Sequence, residues 1–96
     1  MALPAPGTRV IVDNEAATKA TVVEVRAPDA PGALHRITAA IAALGLDIVS
    51  ARVSTLGNAV VDSFYVRSQG AKLSNAEAAA DVRAALERVL GEPQPR

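Results

Sequence analysis

Three residues in this sequence have the types and the spacing that suit the binding of a small zwitterion. Asp29 and Gly32 belong to a corner, Pro28-Asp-Ala-Pro-Gly32, that joins an apolar run to an amphipathic one, and Asp47 begins the next apolar run. A helix that starts at this corner presents unpaired N–H groups and partial positive charge, which suit a carboxylate. Gly32 lets a ligand approach the backbone closely, and either aspartate can accept an ammonium group. The pattern therefore permits an α-amino acid as ligand.

Each of these residues also has a structural role open to it. Asp29 is placed to cap the helix, Gly32 to relieve crowding at the corner, and Asp47 to begin a strand in solvent. His35, about one turn into the helix, is expected to be exposed. Asp62 alternates with apolar residues, so we expect a partly buried carboxylate that forms a hydrogen bond with its own hairpin or with an arginine.

The composition excludes several classes of function. The 96 residues make one small domain, and their 10 basic and 10 acidic side chains give no field that favours nucleic acid or an anionic membrane. Aromatic residues are 2%, cysteine is absent and there is one histidine, so we expect no base stacking, no metal site and no cofactor. No apolar run approaches the roughly 20 residues of a membrane helix, and the start is unlike a signal peptide. The sequence thus predicts a cytoplasmic domain.

Hydrophobic periodicity predicts the elements that position the corner. Alternation predicts strands at 9–12, 20–27, 46–56 and 59–67, with a tight turn at Gly57-Asn58. Residues 9–90 should form the domain, with a flexible segment at 1–8 and a disordered tail at 91–96. Two helices are predicted from their apolar stripes and from the signals at their ends. The first should begin at Pro31 and end at Gly45, with an apolar stripe of Leu34, Ile37, Ile41 and Leu44. The second should begin at the capping box Ser74-Asn-Ala-Glu77 and end at Gly91, with a stripe of Val82, Ala85, Leu86 and Val89.

The order β-β-α-β-β-α predicts an α+β sandwich of ferredoxin-like type, in which a four-stranded antiparallel sheet carries both helices on one face. Strand 46–56 then lies at a sheet edge. It lacks proline, and Val49 and Val53 share its apolar face, with Ile48 on the other. Such an edge invites pairing with another chain. A two-fold antiparallel pair of copies would bring Asp47 of the second copy beside the corner of the first.

The residues of the corner and of the edge strand carry a resemblance to a known family. Asp29-x-Pro-Gly-x-Leu34 and Gly45-Leu-Asp-Ile48 resemble the ACT domain, a small ligand-sensing module of amino-acid metabolism, over about residues 21 to 66. Arg9-Val-Ile-Val-Asp-Asn-Glu15, Leu46-Asp-Ile-Val-Ser-Ala51 and Val61-Asp-Ser-Phe-Tyr-Val66 are similar to the C-terminal ACT domain of the PII-protein uridylyltransferases, which act in bacterial nitrogen regulation.

The resemblance implies a ligand site and a partner. It implies sensing of an amino acid, with glutamine suggested, by a chain that is regulatory and not itself an enzyme, paired with a second ACT domain or with a copy of itself through strand 46–56. The family's ligand loop and facing strand start map onto Asp29, Ala30, Pro31, Gly32, Ala33 and Leu34, and onto Asp47, Ile48 and Val49.

Other interpretations of the same fold stay open. One is the regulatory ACT domain of another amino-acid metabolic enzyme. Another is a purely structural module that docks or dimerises and binds no small ligand. A small hydrolase of acylphosphatase type is a third, but its anion loop needs an arginine, and none lies between Ala27 and His35.

Overall fold

The computed structural model describes residues 8–28 and 32–91. The elements follow the predicted order: β1 (Arg9–Asp13), β2 (Thr21–Pro28), α1 (Ala33–Ala43), β3 (Asp47–Leu56), β4 (Ala59–Arg67) and α2 (Ala76–Gly91). The strand bounds differ from the predicted ones by one residue at most. Helix α2 includes Gly91, which had been assigned to the disordered tail. Residues 1–7 of the predicted flexible segment 1–8 and residues 92–96 of the predicted tail lie outside the described residues. Helix α1 begins at Ala33 with Gly32 as its N-cap, so the predicted start at Pro31 is two residues too early.

The four strands form one antiparallel sheet in the order β1-β2-β4-β3, as predicted. Strand β3 is therefore an edge, and β2 and β4 are central. The register aligns Val10 with Val25 and Val23 with Phe64, and all four side chains are buried. Directly opposed residues share a face, so these side chains form one apolar layer beneath the helices. The α+β ferredoxin-like sandwich is confirmed.

Helix α1 covers this layer with the middle of its apolar stripe. Ile37 and Ile41 are completely buried, as the spacing predicted. Leu34 and Leu44, predicted in the same stripe, are 46% and 39% exposed. They lie at the two ends of the helix, beyond the residues that pack on the sheet. Periodicity identifies the buried side of a helix but not how far that side stays covered. None of the described helices is long and apolar enough to span a membrane.

The helix ends test the predicted caps. Gly45 has φ 77°, and its N–H donates to the carbonyl of Ala42 at 3.0 Å, so the predicted stop of α1 is confirmed. At α2, the Oδ1 of Asn75 accepts the N–H of Ala78 at 2.8 Å. The cap is therefore Asn75, and the predicted capping box beginning at Ser74 is wrong by one residue. Serine and asparagine cap about equally well, so the sequence did not distinguish them.

A buried hydrogen-bond cluster fixes the loop after β1 to the entry of α2. The hydroxyl of Thr21 donates to Asn14 Oδ1 and accepts the N–H of Leu73 at 3.0 Å. Asn14 Nδ2 in turn donates to the Leu73 carbonyl at 2.8 Å, and Lys72 Nζ donates to the Asn14 carbonyl at 2.7 Å. Because Thr21 is fully buried, these bonds satisfy a hydroxyl that water cannot reach.

Strand β3 is the least covered element of the sheet. All 10 of its residues are exposed. A register shift between Ile48 and Ser50 makes Val49 a bulge, since Ile48 pairs with Val66 and Ser50 with Tyr65. Ile48, and not Val49, therefore shares the helix-side face with Val53, which corrects the predicted alternation. A bulge depends on pairing with the neighbouring strand, which a pattern of period two does not reveal.

Candidate functional site

A pocket of about 280 Å³ lies between the start of α1 and the C-terminal half of β3. Strand β2 ends with Pro28 opposite Ala59, and the chain then returns to begin α1 over the helix-side face of β3 and β4. The lining residues come from three elements: Gly32, Ala33, Leu34 and His35 at the start of α1, Val53 and Thr55 on β3, and Val60 and Asp62 on β4.

Gly32 shapes the mouth of this pocket. It is the N-cap of α1 with φ 76°, a left-handed conformation that glycine adopts without steric cost. Its carbonyl accepts the first helical hydrogen bond, from the N–H of Arg36 at 3.0 Å. A Cβ placed on Gly32 would have nothing within 4 Å. The glycine is therefore required by the turn and also leaves open space at the helix start.

Asp62 contributes a carboxyl group that has almost no access to water. It is 1% exposed and lies directly opposite Val25 on β2 and Val53 on β3. Its Oδ1 has no hydrogen-bond partner within the part of the chain that the structure describes. Burial between apolar neighbours raises the pKa of this carboxyl above its ordinary value. The predicted burial of Asp62 is confirmed, whereas the predicted hydrogen bond to the hairpin or to an arginine is not made by Oδ1.

The groups that line the pocket are suited to binding a small molecule. The first turn of a helix favours negative charge, the carboxyl group of Asp62 favours a donor or a cation, and Leu34, Val53 and Val60 supply apolar surface. His35 is exposed at the rim, as predicted. Among the described residues, no group of three or more His, Cys, Asp or Glu side chains could hold a metal ion. The arrangement suits a small molecule that carries both charges.

The residues predicted for the site are only partly brought together. Gly32, Ala33 and Leu34 line the pocket, whereas Asp29, Ala30 and Pro31 lie outside the described residues. Asp47, Ile48 and Val49 stand at the other end of β3, about 13 to 20 Å along the strand from Val53 at the usual rise per residue. Asp47 lies opposite Arg67 in the register. One protomer therefore does not join the two predicted halves.

Asp62 was not among the predicted ligand-binding residues. Its alternation with apolar neighbours had indicated burial, but nothing in the sequence indicated that one of its oxygen atoms would lack a hydrogen-bond partner. That property depends on which groups surround the carboxyl in space.

In two other clefts, some of the polar lining groups already form hydrogen bonds within the chain. One of about 530 Å³ lies at the start of α2, where the Asn75 side chain caps the helix. The other, about 310 Å³, is lined by Lys19, Arg67 and Lys72 among others. Arg67 donates to the carbonyl of Lys19 at 2.9 Å, and Lys72 to that of Asn14. Among the described residues, the buried side-chain atom without a partner is in the pocket at the start of α1.

Comparison with known proteins supplies independent information. The sequence model of the ACT domain family matches residues 21–90. Three relatives carry the name bifunctional uridylyltransferase/uridylyl-removing enzyme. The relative from Rhodospirillum rubrum is 45% identical over 89 residues, which are 92% of this chain and 10% of that protein. The relative from Streptomyces coelicolor is 51% identical over 79 residues, which are 81% of this chain and 10% of that protein.

The relative from Azospirillum brasilense is 41% identical over 86 residues, which are 88% of this chain and 9% of that protein. The chain therefore spans about a tenth of the length of the curated relatives that it matches. No solved structure matches the chain.

Proposed function

The chain belongs to the ACT domain family, and on that premise we propose that it is a regulatory module that senses an amino acid, with glutamine as the first candidate. The observation that carries the proposal is the pocket at the start of α1, whose lining includes both the first residues of a helix and a buried carboxyl group. The first turn suits the ligand's carboxylate, and an aspartate suits its ammonium group. Leu34 and Val60 supply apolar surface against which the two side-chain methylene groups of glutamine can pack.

The relatives suggest the setting of this module. Their shared name describes an enzyme with uridylyltransferase and uridylyl-removing activities, and this chain corresponds to about a tenth of their length. We infer that the chain supplies the regulatory part of such an enzyme, in which nitrogen status is sensed and the catalytic chemistry belongs to other parts.

We also propose that β3 pairs with a second ACT domain or with a second copy of this chain. The strand is 10 residues long and entirely exposed, and Val49, Val53 and Leu56 are 50%, 53% and 62% exposed. An unpaired edge of this length exposes a row of backbone N–H and C=O groups beside apolar side chains, and pairing with another edge strand covers them. A two-fold pairing would bring Asp47, Ile48 and Val49 of one copy toward the start of α1 in the other, as the sequence had predicted.

The exposed strand also favours the alternative of a docking module that binds no small ligand. The same surface would then join this domain to a neighbouring domain, and the pocket would be a by-product of leaving β3 uncovered. The regulatory ACT domain of another amino-acid metabolic enzyme is a second alternative, which would keep the pocket and change the preferred ligand.

A thermal-shift panel of the twenty amino acids at millimolar concentration separates these functions. A ligand that binds only the folded chain stabilises it by about 2.7 kcal/mol at 100 times its dissociation constant. We expect a selective rise in melting temperature with glutamine. A selective rise with a different amino acid would move the chain to another metabolic setting. The absence of a rise with all twenty would contradict the sensing function and favour the docking module.

A further inference from the structure

We propose that Asp62 binds the ammonium group of the ligand in the pocket at the start of α1, within one protomer. The inference rests on the proposed sensing function, and it names a residue of the site that was assigned neither from the sequence nor from the comparisons. It also assigns to Asp62 the part that the sequence had given to Asp29 or to Asp47 of a second copy.

The first argument concerns the groups that surround the Asp62 carboxyl. Asp62 is 1% exposed, and Oδ1 has no partner among the described residues. Its cross-strand neighbours, Val25 and Val53, offer no polar side chain. Buried polar side-chain atoms in folded proteins nearly always have a partner, and an exception needs a cause. A ligand that supplies the missing donor is such a cause, because the unpartnered oxygen belongs to a pocket-lining residue.

The second argument concerns the charge of that ligand. The eight described residues that line the pocket include no lysine and no arginine, and His35 is exposed at the rim. A cationic partner for the carboxylate must therefore come from outside these residues. An ammonium group is compact and carries three donors, so it fits a single carboxylate flanked by valines. A hydrogen bond between two charged groups is also stronger than one made by a neutral donor.

The third argument is the position of the pocket relative to α1. The same cavity is lined by Gly32, Ala33 and Leu34, where the backbone N–H groups of a first helical turn favour a carboxylate. Asp62 thus favours a positively charged group and this turn a negatively charged one, and both line one cavity of about 280 Å³. A cavity of this volume is large enough for a small amino acid. Asp47 stands about 20 Å away along β3, so it cannot serve this cavity within the same protomer.

The test is a titration of the 96-residue chain by calorimetry with two probes. L-glutamine carries the α-ammonium group, and glutaramate is the same molecule without it. The proteins are the unchanged chain, Asp62→Asn, Asp47→Asn at the competing anchor, and the matched control Asp81→Asn, which changes an exposed aspartate on α2 in the same way. We expect the unchanged chain, Asp47→Asn and Asp81→Asn to prefer glutamine by about tenfold or more, and Asp62→Asn to bind the two probes equally.

Three results would overturn the inference, and they differ in whether the proposed sensing function survives. Retained preference for glutamine in Asp62→Asn would show that Asp62 does not bind the ammonium group, while the sensing function would survive. Loss of the preference in Asp47→Asn alone would place the anchor at the interface. Failure of the unchanged chain to bind glutamine would remove both the inference and the glutamine assignment. A cooperative thermal transition of Asp62→Asn, measured in parallel, establishes that the variant is folded.

Discussion

Asp62 and Val53 lie directly opposite each other on β4 and β3, yet the aspartate is 1% exposed and the valine 53% exposed. Aspartate is usually the exposed residue and valine the buried one, so the two have exchanged their usual environments. The reversal arises because β3 is an uncovered edge, whereas β4 is central and lies beneath the helices. Departures of this kind from the local rules of folding are expected at functional sites, where stability is given up for binding.

The first prediction concerns the loss of stability of the chain that the buried carboxylate of Asp62 causes. Burial raises the pKa of its carboxyl above the ordinary value of 3.8, so the folded chain holds this proton more tightly than the unfolded chain. Stability from this group is complete below pH 3.8 and is lost as the pH rises through the raised pKa. Asp62→Asn removes the ionisation, so we expect the variant to be more stable than the unchanged chain at pH 7.

Urea unfolding of both proteins at pH 4 and pH 7 measures this difference. The advantage of Asp62→Asn should grow from the lower to the higher pH. Asp47→Asn, at an exposed position, should change stability by less than about 0.5 kcal/mol. An Asp62→Asn variant that is less stable than the unchanged chain at pH 7 would show that the carboxylate has a favourable partner in the free protein.

The second prediction compares two glycines of nearly equal geometry. Gly32 and Gly45 have φ 76° and 77°, and a Cβ on either would have nothing within 4 Å. Gly32→Ala and Gly45→Ala should therefore each lower the free energy of unfolding by about 1 to 2 kcal/mol, because alanine is strained in this conformation. Only Gly32→Ala should weaken glutamine binding, since Gly32 lines the pocket and Gly45 ends the helix at its other end.

Calorimetry on the two alanine variants checks this contrast. Equal affinities in Gly32→Ala and Gly45→Ala would show that the ligand does not approach the start of α1.

The third prediction concerns pairing through β3. Sedimentation at high micromolar concentration should give a dimer for the unchanged chain and a monomer for Val49→Lys, because a lysine on an edge strand opposes pairing. Ile11→Lys on β1, the opposite edge, is the matched control, since Ile11 is also an exposed apolar residue. It should remain dimeric. A monomeric unchanged chain, or equal dissociation of both variants, would contradict the proposed interface.

The fourth prediction concerns the buried hydroxyl of Thr21. Thr21→Val keeps the side-chain shape but leaves Asn14 Oδ1 and the N–H of Leu73 without this partner. We expect a loss of about 2 kcal/mol in urea unfolding. Thr38→Val is the control: its hydroxyl donates to the His35 carbonyl at 3.1 Å in an exposed setting, and its removal should cost only a few tenths of a kcal/mol. Equal losses would mean that the buried cluster does not stabilise the chain.

The sequence was sufficient for features that depend on local periodicity and chain order. Alternation placed Val23 and Val25 in the core, the order of elements placed β3 at an edge, and Gly45 ended α1 as expected. These signals agree because one buried face per element is enough to define this fold. The burial of Asp62 followed from the same alternation.

Features that depend on the neighbouring element were not accessible in this way. The bulge at Val49 arises in the pairing of β3 with β4, and it reversed the face assigned to Ile48. The exposure of Leu34 depends on where α1 stops covering the sheet. The unpartnered oxygen of Asp62 depends on three elements together, so the sequence led to a candidate site at the corner that did not include Asp62.

The most direct measurement of the central claim is an NMR titration of the ¹⁵N-labelled 96-residue chain with L-glutamine. Binding in the pocket at the start of α1 should shift the amide signals of the residues that line it, among them Gly32, Leu34, Thr55 and Asp62, in a saturable way. The amides of Lys19 and Lys72, in a separate cleft, should not move. Unchanged spectra at millimolar glutamine, or shifts confined to that separate cleft, would contradict the account.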